Sequence, residues 1–98
     1  MKKLITLYLA LSLTLLAGSA LADQSYSCTH GKQERSISIV YQDQVKKVPC
    51  EVQYTKDGVT QTLWSAKGQV GYCEEKALAF VEKQRGWGWA CEEVKAAQ

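Results

Sequence analysis

The sequence predicts a small α+β domain: a small antiparallel sheet of three to four strands, one C-terminal helix packed on one face, and two disulfides. Three observations predict it. Apolar and polar residues alternate over much of residues 35–66, which is typical of half-buried strands. From residue 72 onward the apolar residues recur every three to four positions, which indicates a helix. Four cysteines are spaced almost evenly along the chain.

Four segments are predicted as strands. The first is a short segment at residues 26–28. Residues 35–41 follow; they alternate and are rich in β-branched side chains. Residues 48–54 place an apolar side chain at every second position. An Asp-Gly turn at residues 57–58 then joins this strand to residues 59–66, which predicts a hairpin.

One helix is predicted from Tyr72 to Arg85. Acidic residues lie in its first turn and basic residues in its last, where the helix dipole favours each sign. Gly86 is a typical residue for the end of a helix, and the polar residues after Cys91 are expected to fray. The side of the helix that faces the sheet is predicted to carry Cys73, Ala77, Phe80, Val81 and Gln84.

Residues 1–22 have the features of a secretory signal peptide: Lys2 and Lys3, an apolar run, and a small-x-small cleavage pattern. The apolar run is shorter than the roughly 20 residues of a membrane-spanning helix. Residues 16–19 resemble a bacterial lipoprotein box with serine in place of the lipid-bearing cysteine, so we expect no membrane anchor after cleavage. The sequence therefore predicts a soluble periplasmic protein in which residues 23–98 form a single disulfide-stapled domain.

The charge balance bears on the class of partner. The full chain has 12 basic and 10 acidic residues, and cleavage removes Lys2 and Lys3, which makes the two numbers equal. A chain without net charge lacks the positive surface with which proteins bind nucleic acid or anionic membranes. We therefore expect neither as a partner.

The four cysteines, Cys28, Cys50, Cys73 and Cys91, are predicted to form two structural disulfides. Zinc and thioredoxin-like sites use close C-x-x-C pairs, which this sequence lacks. Exported proteins enter an oxidising compartment, where disulfides persist. Cys50 and Cys73 share the inward sides of their strand and helix, which favours pairing them and leaves Cys28 for Cys91. Pairing of Cys73 with Cys91 stays an alternative, because a nearly straight return along the helix would span the distance.

The sequence carries no pattern that indicates catalysis, so we predict that the protein is not an enzyme. His30 is the single histidine and is expected on a surface turn, without further metal ligands. Glu74 and Glu75 are neighbours on a helix and point apart, unlike the facing carboxylates of glycosidases. Serine-nucleophile motifs and phosphate-binding glycine loops are absent from the sequence. We predict no catalytic residue, no metal site and no cofactor.

Aromatic side chains are the remaining indication of function. Tryptophan and tyrosine anchor partners in many interfaces, but small disulfide domains also build their cores from them. Trp64 and Trp89 are predicted to pack in the core rather than to contact a ligand. For Trp87, between two glycines, the sequence leaves core and surface equally open. We take Trp87, with Tyr72, as a candidate binding residue.

The segments CTHG, PCEV, LW, GYCE and FVEK, with GW before the last cysteine, resemble a family of small exported proteins of Gram-negative bacteria. The functions of that family are mostly unassigned. The resemblance covers nearly all of the chain after residue 22. It implies export and a framework of two disulfides, and it implies no activity.

A second resemblance has more functional content. Residues 26–28, together with residues 65–68 and Tyr72, look somewhat like segments of the periplasmic inhibitors of C-type lysozyme, whose short serine-containing loop enters the enzyme's cleft. That resemblance implies that Ser65 and Lys67 contact the acidic catalytic residues of the lysozyme. The predicted helix departs from those inhibitors, which close an all-β barrel.

The sequence thus favours a non-enzymatic periplasmic binding or interaction protein whose partner is an envelope protein or a cell-wall glycan. Inhibition of C-type lysozyme is the alternative, and a structural envelope accessory without a small ligand is a third interpretation that the sequence does not separate from the first. The candidate binding residues are Trp87, Tyr72, Ser65 and Lys67.

Overall fold

Five strands and one helix make up residues 24–94, the part of the chain that the computed structural model describes. In chain order the elements are β1 (Gln24–His30), β2 (Gln33–Tyr41), β3 (Cys50–Lys56), β4 (Val59–Ala66), α1 (Tyr72–Gly86) and β5 (Ala90–Val94). The predicted signal peptide, residues 1–22, lies outside the described residues.

All five strands form one antiparallel sheet in the order β4-β3-β2-β1-β5, with α1 packed on one face. Among residues 24–94, the predicted α+β class, the single helix and the two disulfides are confirmed. The predicted number of three to four strands is wrong, because β5 adds a fifth. The predicted hairpin partner at residues 59–66 matches β4, whereas β1 is longer than the three residues expected.

The strand that the sequence pattern does not predict is β5, whose residues Glu92 and Glu93 belong to a segment expected to fray. Glutamate is depleted in strands, which is why the local pattern gives no strand signal. In the structure Cys91 lies opposite Cys28 in the β1–β5 ladder, and a disulfide joins the two. The bond holds the segment beside β1, whose backbone N–H and C=O groups need partners. A tertiary constraint therefore overrides a weak local preference.

The second disulfide joins the sheet to the helix. It links Cys50, the first residue of β3, to Cys73 in the first turn of α1. The favoured pairing of the four cysteines is thus the one found, and the alternative of Cys73 with Cys91 is wrong. Because Cys50 and Cys73 are both buried, the bond also forms part of the core.

Within residues 24–94 the apolar core lies on the helix side of the sheet. The predicted inward side of α1 is confirmed: Cys73, Ala77, Val81 and Gln84 are buried, and Phe80 is partly buried. The sheet contributes Tyr26, Cys28, Ile37, Ile39, Tyr41, Cys50 and Val52. The opposite face carries polar side chains such as Ser36, Ser38 and Gln53, which are only partly buried. One helix thus covers one face and leaves the other polar.

The β3–β4 hairpin contains one irregularity that positions a tryptophan. Asp57 and Gly58 have φ values of 53° and 80°, the left-handed values that a tight hairpin turn requires. Further along, the register shifts after Val52, which leaves Leu63 as an extra residue in β4. Without the bulge, Leu63 would lie opposite Val52 and alternation would turn Trp64 to the polar face. With it, Trp64 lies opposite Val52 and packs against the core.

Removing the disulfide that closes the sheet is expected to loosen β5 selectively. The Cys28→Ser/Cys91→Ser double variant should lower the free energy of unfolding by about 2–4 kcal/mol, because the cross-link restricts the unfolded chain. Its two cysteines are 63 positions apart. Urea denaturation measures the loss. Hydrogen exchange should quicken first in residues 90–94, since among the described strands β5 pairs only with β1.

The Cys50→Ser/Cys73→Ser variant is the matched control. It should also lose stability, but without faster exchange confined to residues 90–94. Unchanged protection of β5 in the Cys28→Ser/Cys91→Ser variant would contradict the role given to the Cys28–Cys91 bond.

Candidate binding site

The four candidate binding residues do not form one site. Ser65, Lys67 and Tyr72 lie around the start of α1, whereas Trp87 follows its last residue. A helix of 15 residues spans about 22 Å at 1.5 Å per residue. The structure therefore offers two separate candidate surfaces, one at each end of the helix.

At the far end, residues 86–89 form a sharp turn from α1 into β5, which we call the GWGW corner. The Trp87 N–H donates to the carbonyl oxygen of Gln84 at 3.0 Å, and the Gly88 N–H donates to that of Arg85 at 2.9 Å. Gly88 has a φ of 99°, a conformation that side-chain-bearing residues rarely adopt. The Trp87 side chain is 60% exposed. The corner thus has a fixed backbone and an outward tryptophan.

Trp89, two residues later, packs inward. The backbone N–H of Trp89 donates to the carbonyl oxygen of Gln84 at 3.0 Å, and the half-buried indole ring lies against the core. The guanidinium carbon of Arg35 sits 4.3 Å from the indole centroid, and the His30 ring centroid is 5.3 Å away. A cation above an indole face is favourable, so Arg35 adds to the packing. The predicted core packing of Trp89 is confirmed, as is that of Trp64.

Arg35 links the corner to the centre of the sheet. Its Nη1 donates to the hydroxyl oxygen of Tyr54 at 3.0 Å, and the Nε2 of Gln84 donates to the same oxygen at 3.3 Å. Gln84 is fully buried, and its Oε1 has no hydrogen-bond partner among the described residues. Because the carbonyl oxygen of Gln84 also accepts from the backbone N–H groups of Trp87 and Trp89, one buried residue holds both the corner and the polar contacts beneath it.

Arg35 is not among the residues that the sequence singles out, and His30 is predicted to lie on a surface turn. His30 is exposed, but it is the last residue of β1, and its ring contacts Trp89 rather than standing alone. Only the pairing of β5 with β1 brings Trp89 beside His30, and that pairing was not predicted. The favoured Cys28–Cys91 pairing was a signal that these two segments meet, but it does not specify contact between the two rings.

At the other end, Ser65, Lys67 and Tyr72 border one shallow depression of about 310 Å³. Residues 67–71, which connect β4 to α1, are all exposed. The Nζ atom of Lys76 lies 5.6 Å from the centroid of the Tyr72 ring and 5.7 Å from that of Trp64. This surface is polar and open, with one half-buried tyrosine at its edge.

The two glutamates in the first turn of α1 have different environments. Glu74 accepts a hydrogen bond from the Tyr41 hydroxyl, and the Lys47 Nζ lies 4.6 Å from the centroid of the Tyr41 ring. Glu75 is exposed.

Among residues 24–94, no three histidine, cysteine, aspartate or glutamate side chains are grouped so as to hold a metal ion.

Comparisons of the chain with protein-family models, with curated proteins and with solved structures find no match. Among residues 24–94, no helix has the length and apolar character needed to cross a membrane.

The two tryptophans of the GWGW corner should differ in their effect on stability. Trp89→Ala should lower the free energy of unfolding by about 2–3 kcal/mol, because it removes a packed, half-buried ring. Trp87→Ala should cost less than about 1 kcal/mol, because its ring contributes mainly to the surface. Urea denaturation of the two variants side by side measures both values. Equal losses would show that Trp87 is also a packing residue.

Proposed function

We propose that the protein is a non-enzymatic binding or interaction protein of the periplasm, with Trp87 as its main contact residue. The exposure of Trp87 is the observation that carries the proposal. Tryptophan is highly buried on average, yet this side chain is 60% exposed on a corner fixed by its own hydrogen bonds. Such side chains are enriched among the residues that dominate binding energy.

The rigidity of the GWGW corner supports this proposal. Association costs free energy when loops and side chains become ordered, so a contact residue on a fixed backbone binds at lower cost. Trp89 packs beneath the corner, and the Cys28–Cys91 disulfide holds the strand that follows it. Trp87 therefore rests on a preformed support.

Two features support the compartment and the class of partner. The two disulfides fit an oxidising compartment such as the periplasm, to which the predicted signal peptide would direct the chain. An exposed indole flanked by polar groups suits either an apolar pocket of an envelope protein or the face of a sugar in a cell-wall glycan. Lys83, exposed in the last turn of α1, supplies a donor, whereas the Arg85 guanidinium already donates to Glu82 and to the carbonyl oxygen of Cys91.

Affinity capture with a matched pair of variants tests the proposal. Wild-type protein, Trp87→Ala and Leu78→Ala are immobilised and exposed separately to envelope extract and to purified cell-wall glycan. Leu78 is a suitable control, because it is an apolar α1 side chain that is 49% exposed. A partner should be retained by wild type and Leu78→Ala, and reduced about tenfold or more by Trp87→Ala.

Two outcomes of this experiment would contradict the proposal. Equal retention by all three proteins would remove Trp87 from the contact surface. No specific retention from either source would favour a structural accessory without a ligand.

A second candidate function, inhibition of C-type lysozyme, is favoured by the shared depression at the start of α1. Ser65 and Lys67 are both exposed there, but Ser65 lies in β4 and pairs with Glu51, so the expected serine-containing loop is not formed and only the segment from Lys67 onward leaves the sheet. The open five-stranded sheet with its helix differs from the all-β barrel of the known inhibitors. We therefore place this function second.

A lysis assay separates the second candidate from the first. At micromolar excess, wild-type protein should reduce the lytic activity of a C-type lysozyme, and Lys67→Ala should restore it by removing the cation opposite the acidic residues. Gln69→Ala, in the same exposed segment, is the control and should still inhibit. Undiminished lysis with wild-type protein would end this candidate.

A further inference from the structure

The outer edge of β4 is an unusual feature of the sheet. β4 is an edge strand, and along that side no strand pairs with it among the described residues. Its eight residues, VTQTLWSA, contain no charged residue and no proline. Natural proteins commonly protect exposed edges with lysine or proline, because unpaired backbone groups can bind another strand. The bulge at Leu63 bends β4, which protects an edge in part, but it adds no charge.

The opposite edge of the sheet is different. β5 carries two glutamates, Glu92 and Glu93, among its five residues. Two such strands placed side by side would bring like charges together, which is unfavourable. The sheet therefore has one edge guarded by charge and one edge without that protection.

The residues around β4 are complementary to a second copy of themselves. The Asp57 turn precedes the strand and Lys67 follows it. Antiparallel pairing of two β4 strands about Thr62, with Leu63 left as a bulge as it is against β3, brings the Asp57–Gly58 turn of each copy beside Lys67 of the other. Val59 is 61% exposed, and Leu63 and Trp64 are half-buried, so pairing also covers apolar surface.

We propose that two copies of this chain associate through their β4 edges to form a continuous ten-stranded antiparallel sheet. A two-fold axis perpendicular to the sheet relates the copies, so both helices lie on one side and both polar faces on the other. The contact is isologous, which closes the assembly at two copies. The edge is short, and the interface is small beside those of obligate dimers, so we expect a weak dimer whose population depends on concentration. This inference is independent of the role of Trp87.

Charge exchange at the two ends of β4 gives a test specific to this arrangement. The protein is purified from the periplasm with both disulfides formed, and its association is followed by sedimentation equilibrium. In a dimer of the Lys67→Glu variant, each introduced glutamate lies beside Asp57 of the other copy. In a dimer of the Asp57→Lys variant, each introduced lysine lies beside Lys67 of the other copy. Each variant should dimerise about five- to tenfold more weakly than wild type, because two surface pairs change sign.

An equal mixture of the two variants should regain the association of wild type. In the mixed dimer, the lysine introduced at position 57 faces the glutamate introduced at position 67, and at the other end Asp57 faces Lys67, so both pairs attract. Circular dichroism of each variant alone checks that it is folded. Failure of the mixture to recover association, when both variants are folded, would overturn the proposed pairing.

Edge-blocking variants test the same interface without relying on Asp57 or Lys67. Thr62→Lys brings two lysines together at the symmetry axis and should abolish dimerisation. Ala90→Lys places the same residue on the β5 edge and should leave dimerisation unchanged. A wild-type chain that stays monomeric up to millimolar concentration, or a dimer lost with Ala90→Lys but kept with Thr62→Lys, would overturn the proposal.

Discussion

The disulfide between Cys28 and Cys91 joins residues near the two ends of the described chain, and several features of the structure depend on it. Cys91 lies directly opposite Cys28, so the bond sets the register of β5 against β1. The fifth strand in turn places Trp89 beside His30 and Arg35. Without that bond, we would not expect the segment after α1 to pair with β1, because its two glutamates disfavour a strand.

Two tryptophans separated by one glycine, Trp87 and Trp89, have opposite environments. Gly88 adopts a left-handed conformation that turns the chain between them, so that Trp87 faces solvent while Trp89 faces the core. The carbonyl oxygen of Gln84 accepts from the backbone N–H groups of both residues, and Gln84 is itself buried. The exposed ring therefore stands on a packed and hydrogen-bonded support, which distinguishes it from an apolar side chain on a loose loop.

The four residues predicted as one set of binding residues lie on two surfaces, one at each end of α1. Ser65, Lys67 and Tyr72 border a shallow depression where α1 begins, and Trp87 lies where it ends. A single small ligand cannot contact both, since the helix spans about 22 Å. The two candidate functions thus belong to different places, and the β4 edge, which shares Ser65 and Lys67 with the depression, offers a further contact surface.

Local pattern and chemistry determined much of this protein: the α+β class, the Asp-Gly hairpin, the inward side of α1 and the favoured pairing of the cysteines. Each of these follows from side-chain alternation, helical spacing or turn geometry, which act over a few residues. Only the tertiary structure decided the fifth strand, the stacking of Arg35 on Trp89 and the exposure of Trp87. Those features require β5 to lie beside β1, and the two strands are distant in the chain. Local preference does not encode that proximity; the disulfide and the sheet edge impose it.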